Sequence, residues 1–529
     1  MTTGFENEDH QVELDDQLED FLTDFSDTEY EPTSAELAEQ TVNRDVQEEL
    51  TAFFNEHRFG IPEDDLDEES STPRTQLMTK QEAQQVEADF FALQESILKR
   101  TSEHKFDPTL ERVQMAFNLL GDPQLSYRSV HVTGTNGKTS TSRMISALLQ
   151  ASGRKVGRYT SPHLNAMNER ICVNEEPISQ RQFLEAYADV APYIGIVDDF
   201  SKRHNGPQLS FFEVFTVVGL AAFADVPVDA AVVEVGIGGL WDATNVINAE
   251  VSVITPIGVD HQTYLGNTAA DAARIKADII KPGAIAVSAL QEPEVEEVLR
   301  NHAQQVGAQI RFVGDEITLV ERRVAVGGQL ISVQTPAALY QDIFVPLHGI
   351  HQAENAALAL AAMEAFNGGR AVEASIVEEG YAMATSPGRL EVLRTSPSIL
   401  VDAAHNPHGA KALAEALGES FDYSYIVGIY AGMADKDVES VLAEMEPVLD
   451  EIVVTSMNTP RAMDVEELAE VAADVFGEDR VHVQRKLIDA VDTAVELCDS
   501  TLDPATSTGV VIFGSVVLAG DARDLLLRN

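Results

Sequence analysis

The sequence is poor in the residues that mark several protein classes. It has two cysteines, Cys172 and Cys498, in 529 residues. They are far apart and form no C-x-x-C pair or Cys/His cluster, which excludes a disulfide framework and a zinc knuckle. Basic residues are scarce as well: 36 Lys and Arg stand against 87 Asp and Glu, a formal net charge of −51. DNA, RNA and anionic lipid would meet a field of their own sign, so a phosphate-bearing ligand needs a local positive pocket. The longest apolar run, 215 to 224, is too short to span a bilayer, and the opening MTTGFENEDH has neither the basic residues nor the apolar core of a secretory leader. The sequence therefore predicts a cytoplasmic protein with no nucleic-acid or membrane partner.

What is present is the ordinary makeup of a globular chain, 44% hydrophobic and 23% charged. The length predicts two or three domains. Acids outnumber bases roughly tenfold over residues 1–70, including EDDLDEE at 63–69. Apolar stripes at Leu18, Phe21, Leu22 and Phe25, and again at Leu50, Phe53 and Phe54, interrupt this head. The expectation for 1–80 is a disordered acidic extension, with partner docking as the alternative.

From Lys80 a helical period sets in, with Val86, Phe90, Leu93, Ile97 and Leu98 on one face. Strand-like runs then alternate with helical stretches: SVHVTG, AAVVEVG, VSVITPI and AIAVSAL. This is the pattern of an α/β domain with a mostly parallel sheet covered on both faces. Pro387 and Gly388 in ATSPG punctuate the chain. Beyond them ILVDAAH, SYIVGIYAG, EIVVTS, RVHVQ and GVVIFGS describe a smaller, Rossmann-like doubly wound sheet. The expected units are therefore 81–385 and 388–529.

The sharpest local signal is SVHVTGTNGKTSTSRMISALL, a β-branched strand, a glycine turn and Lys-Thr-Ser opening a helix. Gly134 and Gly137 let backbone wrap closely around phosphate, and the helix start offers unpaired N–H groups and a positive dipole. Lys138 would bridge the β- and γ-phosphates of ATP, and Thr139 or Ser140 supplies a hydroxyl suited to Mg²⁺. The common eight-residue phosphate loop has a glycine where Val132 stands, so this loop is a shortened variant. Glu234 closes a strand at the sheet edge where ligands collect, and His261 follows another; alone, each is as readily a structural residue.

The loop G-T-x-G-K-T-S resembles that of the Mur ligase superfamily. YTSPHLNAMNERI, FFEVFT, EVGIGGLWDATN, TPIGVDHQTYLG, LHGIHQAENAALA, SPGRLEV, DAAHNPHGA, ADKDV and FGSVVLAGDAR are similar, in order, to the blocks of one branch, folylpolyglutamate synthase and dihydrofolate synthase. The resemblance covers the chain from Phe106 onward. It implies a Mur-ligase-like ATPase domain followed by a glutamate-ligase domain in a monomer. The implied reaction is ATP-dependent ligation of glutamate to dihydropteroate, to reduced folates or to both, through an acyl phosphate, with release of ADP and phosphate. Its ligands would be these small molecules and two Mg²⁺ ions.

By the same resemblance Gly134, Thr135, Asn136, Gly137, Lys138, Thr139, Ser140, Asn355, Arg389, Asp402 and His405 hold ATP. Thr139 serves the ATP-linked Mg²⁺, and Ser161, Glu234 and His261 bind the second. Lys138, Glu234, His261 and Arg389 are the catalytic candidates, joined by Lys276, where the family carries a carbamylated lysine. Around it the family has Glu and Gly where this chain has Ile275 and Asp278. Phe106, Asp107, Pro108, Ser210, Phe211, Phe212, Glu213, Trp241, Asp242 and Ala243 fall on pterin-contact blocks, although Leu240 replaces the family's arginine. The alternatives are a cell-wall precursor ligase of the same superfamily, and a noncatalytic ATP-binding regulator whose acidic head recruits partners.

Overall fold

The computed structural model describes residues 79–101, 109–500 and 507–527. The acidic head 1–78 lies outside the described residues, as do Phe106, Asp107 and Pro108. Met78–Asn529 belongs to one compact unit.

The helix Lys80–Leu98 begins at Thr79, whose side chain accepts from the Glu82 N–H while the Glu82 carboxylate answers the Thr79 N–H, a reciprocal cap. Phe90 and Ile97 are buried as the period predicts, but Leu98 is 54% exposed. It is the last helical residue and is turned off the stripe by the step of one residue.

Among the described residues the strands form three sheets. The first runs in the order β4-β3-β2-β5-β1-β6-β7-β8. Its strands are β1 (Arg128–Thr133), β2 (Val156–Tyr159), β3 (Ile171–Val173), β4 (Glu176–Pro177), β5 (Ala230–Glu234), β6 (Val251–Ile254), β7 (Ile285–Ser288) and β8 (Gln309–Phe312). All neighbours are parallel except the β2–β3 and β3–β4 pairs. Helices cover both faces, so the inner strands read as unbroken apolar runs. Val130, Val132, Val232, Val251 and Val253 pack with the helices Lys138–Ala151 and Ile350–Phe366, whereas Ala231 and Val233 face the helix Phe211–Asp225. That last helix is buried from Phe211 to Phe223, which explains its apolar character on every side.

The second sheet is antiparallel and has no counterpart among the strand-like runs read from the sequence. It comprises β9 (Thr318–Ala325), β10 (Gly328–Gln334) and β11 (Leu339–Val345), in the order β11-β10-β9. Ile331, Val333, Ile343 and Val345 turn inward to join the core that contains the helix Ile350–Phe366. The turn-linked strands need no helical crossover, which is what antiparallel pairing permits.

The third sheet has the order β12-β13-β17-β14-β15-β16, from β12 (Glu391–Thr395), β13 (Ser398–Val401), β14 (Tyr425–Tyr430), β15 (Glu451–Thr455), β16 (Val481–Gln484) and β17 (Thr508–Phe513). It is parallel apart from the β12–β13 hairpin. No described helix is long and apolar enough to cross a membrane.

In the first sheet β1 lies between β5 and β6, so strands from two directions of winding leave their C-terminal ends side by side. Register puts Val132 beside Glu234 and Thr133 beside Ile254. Below this edge Leu148, fully buried, packs against the backbone of Gly380: a β-carbon there would stand 2.8 Å from Leu148 Cδ2. Leu148→Ala is expected to lower unfolding free energy by about 2–5 kcal/mol, read from urea denaturation of the purified chain.

Candidate active site

Residues 134–137 connect β1 to the helix Lys138–Ala151, and two positions demand glycine. Gly134 has φ +144° and Gly137 has φ +84°. A β-carbon on Gly134 would stand 1.9 Å from Thr255 Oγ1, and one on Gly137 2.7 Å from Asn355 Oδ1. Thr255 begins the loop after β6, and Asn355 lies on the helix Ile350–Phe366, so the turn is clasped between two other elements. Thr135 fastens it further: its N–H donates to Pro256 O at 2.9 Å, and Gly258 N–H donates to its Oγ1 at 3.0 Å.

Lys138 Nζ donates to the carbonyls of Gly134 and Thr135 at 3.2 and 3.1 Å. Burial lowers its pKa, against the opposing pull of Glu234 and Asp260. Lys276, at the end of the helix Ala269–Lys276, donates to the same Gly134 carbonyl at 2.8 Å. Burial, and then the charge of Lys138, push the Lys276 amine down to about 7. Two lysine amines thus converge on one loop of an otherwise acidic protein.

Glu234, 1% exposed at the end of β5, receives Thr139 Oγ1 at 2.9 and 3.1 Å on its two oxygens and Ser161 N–H at 3.4 Å. Burial raises its pKa; Lys138 and the Thr139 hydrogen bond oppose the rise. Ser140 Oγ lies 2.8 Å from Ser386 Oγ and 3.4 Å from Gln352 Nε2, and Asn355 Nδ2 donates to Gln352 Oε1 at 3.2 Å. The structure therefore brings Thr139, Ser161 and Glu234 together. His261 stands on the loop after β6, with its N–H donating to Asp260 Oδ1 at 2.8 Å.

Thr139 and Glu234 are oxygen donors, as a hard cation requires, and Mg²⁺ keeps several waters rather than a full protein cage. Among the described residues no group of three or more His, Cys, Asp or Glu side chains converges to hold a metal. Thr139 and Glu234, oxygen donors joined by a hydrogen bond at the sheet edge, fit a hard cation such as Mg²⁺ that completes its shell with water or phosphate.

The third sheet supplies the opposite wall. Arg389 Nη1 donates to Gly388 O at 2.9 Å, and its charge is felt at Lys138, Glu234, Asp402 and His405. Asp402 accepts the N–H groups of Leu390 and Ala404 at 2.8 and 2.7 Å, and burial raises its pKa. His405 Nδ1 lies 2.9 Å from Ala403 O; burial, and then Lys436, lower its pKa to about 4.

The pterin candidates divide. Ser210 and Glu213 form a reciprocal cap, and Glu213 also pairs with Arg112 at 3.1 Å. Phe211 and Phe212 are buried, Phe211 under the Arg170 guanidinium at 4.9 Å and Phe212 beside Gly236. Asp242 accepts from Ile237 and Thr244 N–H at 2.9 and 3.0 Å, and Ala243 is buried. Trp241 is only partly buried, with the Tyr264 ring edge-on at 6.4 Å. Residues absent from the sequence-derived set but close to its members are Thr255, Gln352, Ser386, Asn406 and Lys436; all five lie in the similar blocks, so block membership was their signal.

Residues 210–363 match the Mur ligase middle domain, and residues 388–516 match the Mur ligase, glutamate ligase domain. A dihydrofolate synthase/folylpolyglutamate synthase from Mycobacterium tuberculosis is 47% identical over 450 residues, covering 82% of this chain and 92% of the relative. The enzyme of the same name from Bacillus subtilis is 34% identical, covering 70% and 87%. A crystal structure of Mycobacterium tuberculosis folylpolyglutamate synthase complexed with ADP and AMPPCP superposes with a TM-score of 0.80 at 46% identity, covering 84% of this chain and 99% of that one. The structure of E. coli FolC in complex with DHPP and ADP gives 0.72 at 27% identity, over 83% and 98%.

A lysine whose folded pKa lies below its unfolded value costs stability where both states are protonated. For Lys276 that cost is full below about pH 7 and relieved as pH rises toward about 10.5. Lys276→Met should therefore gain most over the parent below pH 7, with the difference in urea midpoint shrinking at alkaline pH.

Proposed function

The chain belongs to the dihydrofolate synthase/folylpolyglutamate synthase family, and from that premise we propose that it ligates L-glutamate to dihydropteroate and to the glutamyl tail of reduced folates. ATP is the energy source, and ADP and phosphate are released. The observation that carries the reading is the convergence of Lys138, Lys276, Thr139 and Glu234 at the adjoining ends of β1 and β5.

An amide from a carboxylate and an amine is uphill in water. The acid oxygen attacks the γ-phosphorus and ADP leaves; the amine nitrogen then attacks the acyl carbon, loses a proton and expels phosphate. Two anions must approach in the first step, so positive charge has to be fixed in advance. Lys138 supplies it from the phosphate loop and Arg389 from the smaller sheet, a site completed by closure. Gly134 to Ser140 would cradle the phosphates, with Asn355, Asp402 and His405 supporting nucleotide binding. Two bound Mg²⁺ ions would neutralise charge on the transferring phosphoryl oxygens. Thr139 would serve the ATP-linked ion, and Ser161, Glu234 and His261 would hold the second.

Lys276, buried with its amine pushed down to about 7, has the neutral form that carbamylation by CO₂ requires, which supports that modification here. Trp241 would meet one face of the flat heterocycle, with Phe211 and Phe212 as the wall beneath and Ser210, Glu213, Asp242 and Ala243 shaping the backbone around it. Phe106, Asp107 and Pro108 complete the proposed pterin contacts. We assign the ATP-binding unit to 81–385 and the glutamate-ligase unit to 388–529, in a cytoplasmic monomer whose partners are these small molecules.

The test incubates the full chain with ATP, Mg²⁺, glutamate and either dihydropteroate or tetrahydrofolate, then weighs the products. Each added glutamate should appear with one ADP, and Lys138→Ala should slow turnover by about 10²-fold or more. Turnover of Lys138→Ala at the parent's rate would sink the assignment. With ¹³C-bicarbonate, a carbamate carbon resonance should appear in the parent and be missing from Lys276→Arg.

A further inference from the structure

Asp260 and Lys436 come from different sheets and meet. Lys436 stands in the turn between β14 and the helix Val438–Met445, and its Nζ lies 2.6 Å from Asp260 Oδ1. The two side chains are only 15% and 13% exposed, so this is not a solvated surface pair. The same Asp260 oxygen accepts the His261 N–H at 2.8 Å. His261 has φ +49°, a conformation that a side chain disfavours, and it opens the short helix Gln262–Leu265. One carboxylate oxygen thus joins a lysine of the third sheet to the backbone of a residue at the edge of the first.

Both ends of this link are braced. On the lysine side, Ala434 N–H donates to Arg461 O at 2.9 Å, and Arg461 pairs with Asp435 at 2.8 Å. On the aspartate side, Gly258 and Pro256 are bonded to Thr135 of the phosphate loop. A second contact falls on that loop's tip. Asn136 and Asn406 exchange amide hydrogen bonds at 3.3 and 3.1 Å, and Asn136 Nδ2 lies 2.9 Å from His408 Nδ1. Asn406 is itself fixed as the cap of the helix Pro407–Ser420, its Oδ1 accepting Gly409 N–H at 2.8 Å. Two contacts on two mutually bonded loops define an orientation, where one would leave a pivot.

Resting on the ligase reading above, we propose that Lys436 is a positioning residue for the reaction. Its ion pair with Asp260 holds the 258–261 loop, and His261 with it, in working register as the smaller sheet docks, and the Asn136–Asn406 pair is the second docking point. Lys436 touches neither nucleotide nor acid in this role. Without it, Asp260 keeps a charge that lacks its closest partner and is no longer drawn toward the third sheet.

The test uses the full chain with Lys436→Met and Lys436→Arg. Lys436→Met should lower kcat by about 10- to 100-fold while KM for ATP moves less than about threefold, and Lys436→Arg should recover most of the loss. Combining Lys436→Met with Asp260→Asn should slow the enzyme little beyond the slower single variant, because both remove one interaction. X-ray scattering with AMPPCP and Mg²⁺ should show the Met variant less compact than the parent. A Met variant with parental kcat, an Arg variant as slow as Met, or fully additive singles would overturn the proposal. If the parent itself forms no glutamylated folate, the ligase reading falls, and scattering still decides on Lys436: equal compaction of parent and Met variant rejects the docking role.

Discussion

The hydrogen bonds from Thr139 to Glu234 are the contact on which the site depends. They join the first turn of the helix after β1 to the last residue of β5, and they exist because parallel register sets Val132 beside Glu234. A shift of one residue would turn the carboxylate to the opposite face of the sheet. The apolar layers on either side, from Val130 and Val132 to Ala231 and Val233, hold that register. A buried carboxylate without such partners would be forced toward its neutral form.

Around this contact the protein concentrates positive charge that its composition otherwise denies. Lys138 lies on the Gly134 carbonyl that Lys276 also reaches, and the Arg389 charge is felt there from the third sheet. The net charge of −51 leaves such a pocket as the place for a polyphosphate. The mutual repulsion of the two lysines helps to depress the Lys276 pKa.

The pterin blocks show a different relation between sequence and structure. Glu213 and Ser210 satisfy each other at a helix start, and Asp242 caps the turn that follows it. Their polar atoms are already partnered within the chain. Block similarity marks such segments as a unit but does not separate a contact residue from the scaffold that aims it.

Strands β1, β5, β6 and β7 of the first sheet, β13 to β17 of the third, and the phosphate loop with its glycines were legible in the sequence, because unbroken apolar runs and a glycine turn before Lys-Thr-Ser are local patterns. Leu98 and the antiparallel sheet β9 to β11 were not: the first depends on where a helix stops, and the second pairs strands whose alternation is broken by bulges at Ile331/Val333 and Ser332/Val333. The Asp260–Lys436 pair, separated by 176 residues, and the Asn136–Asn406 pair, separated by 270, had no local signature. Sequence alone determined the chemistry the chain carries, since residue type and short spacing fix a phosphate loop. Only the tertiary structure decided which charges meet, because burial and long-range contact are set by packing between segments that are far apart along the chain.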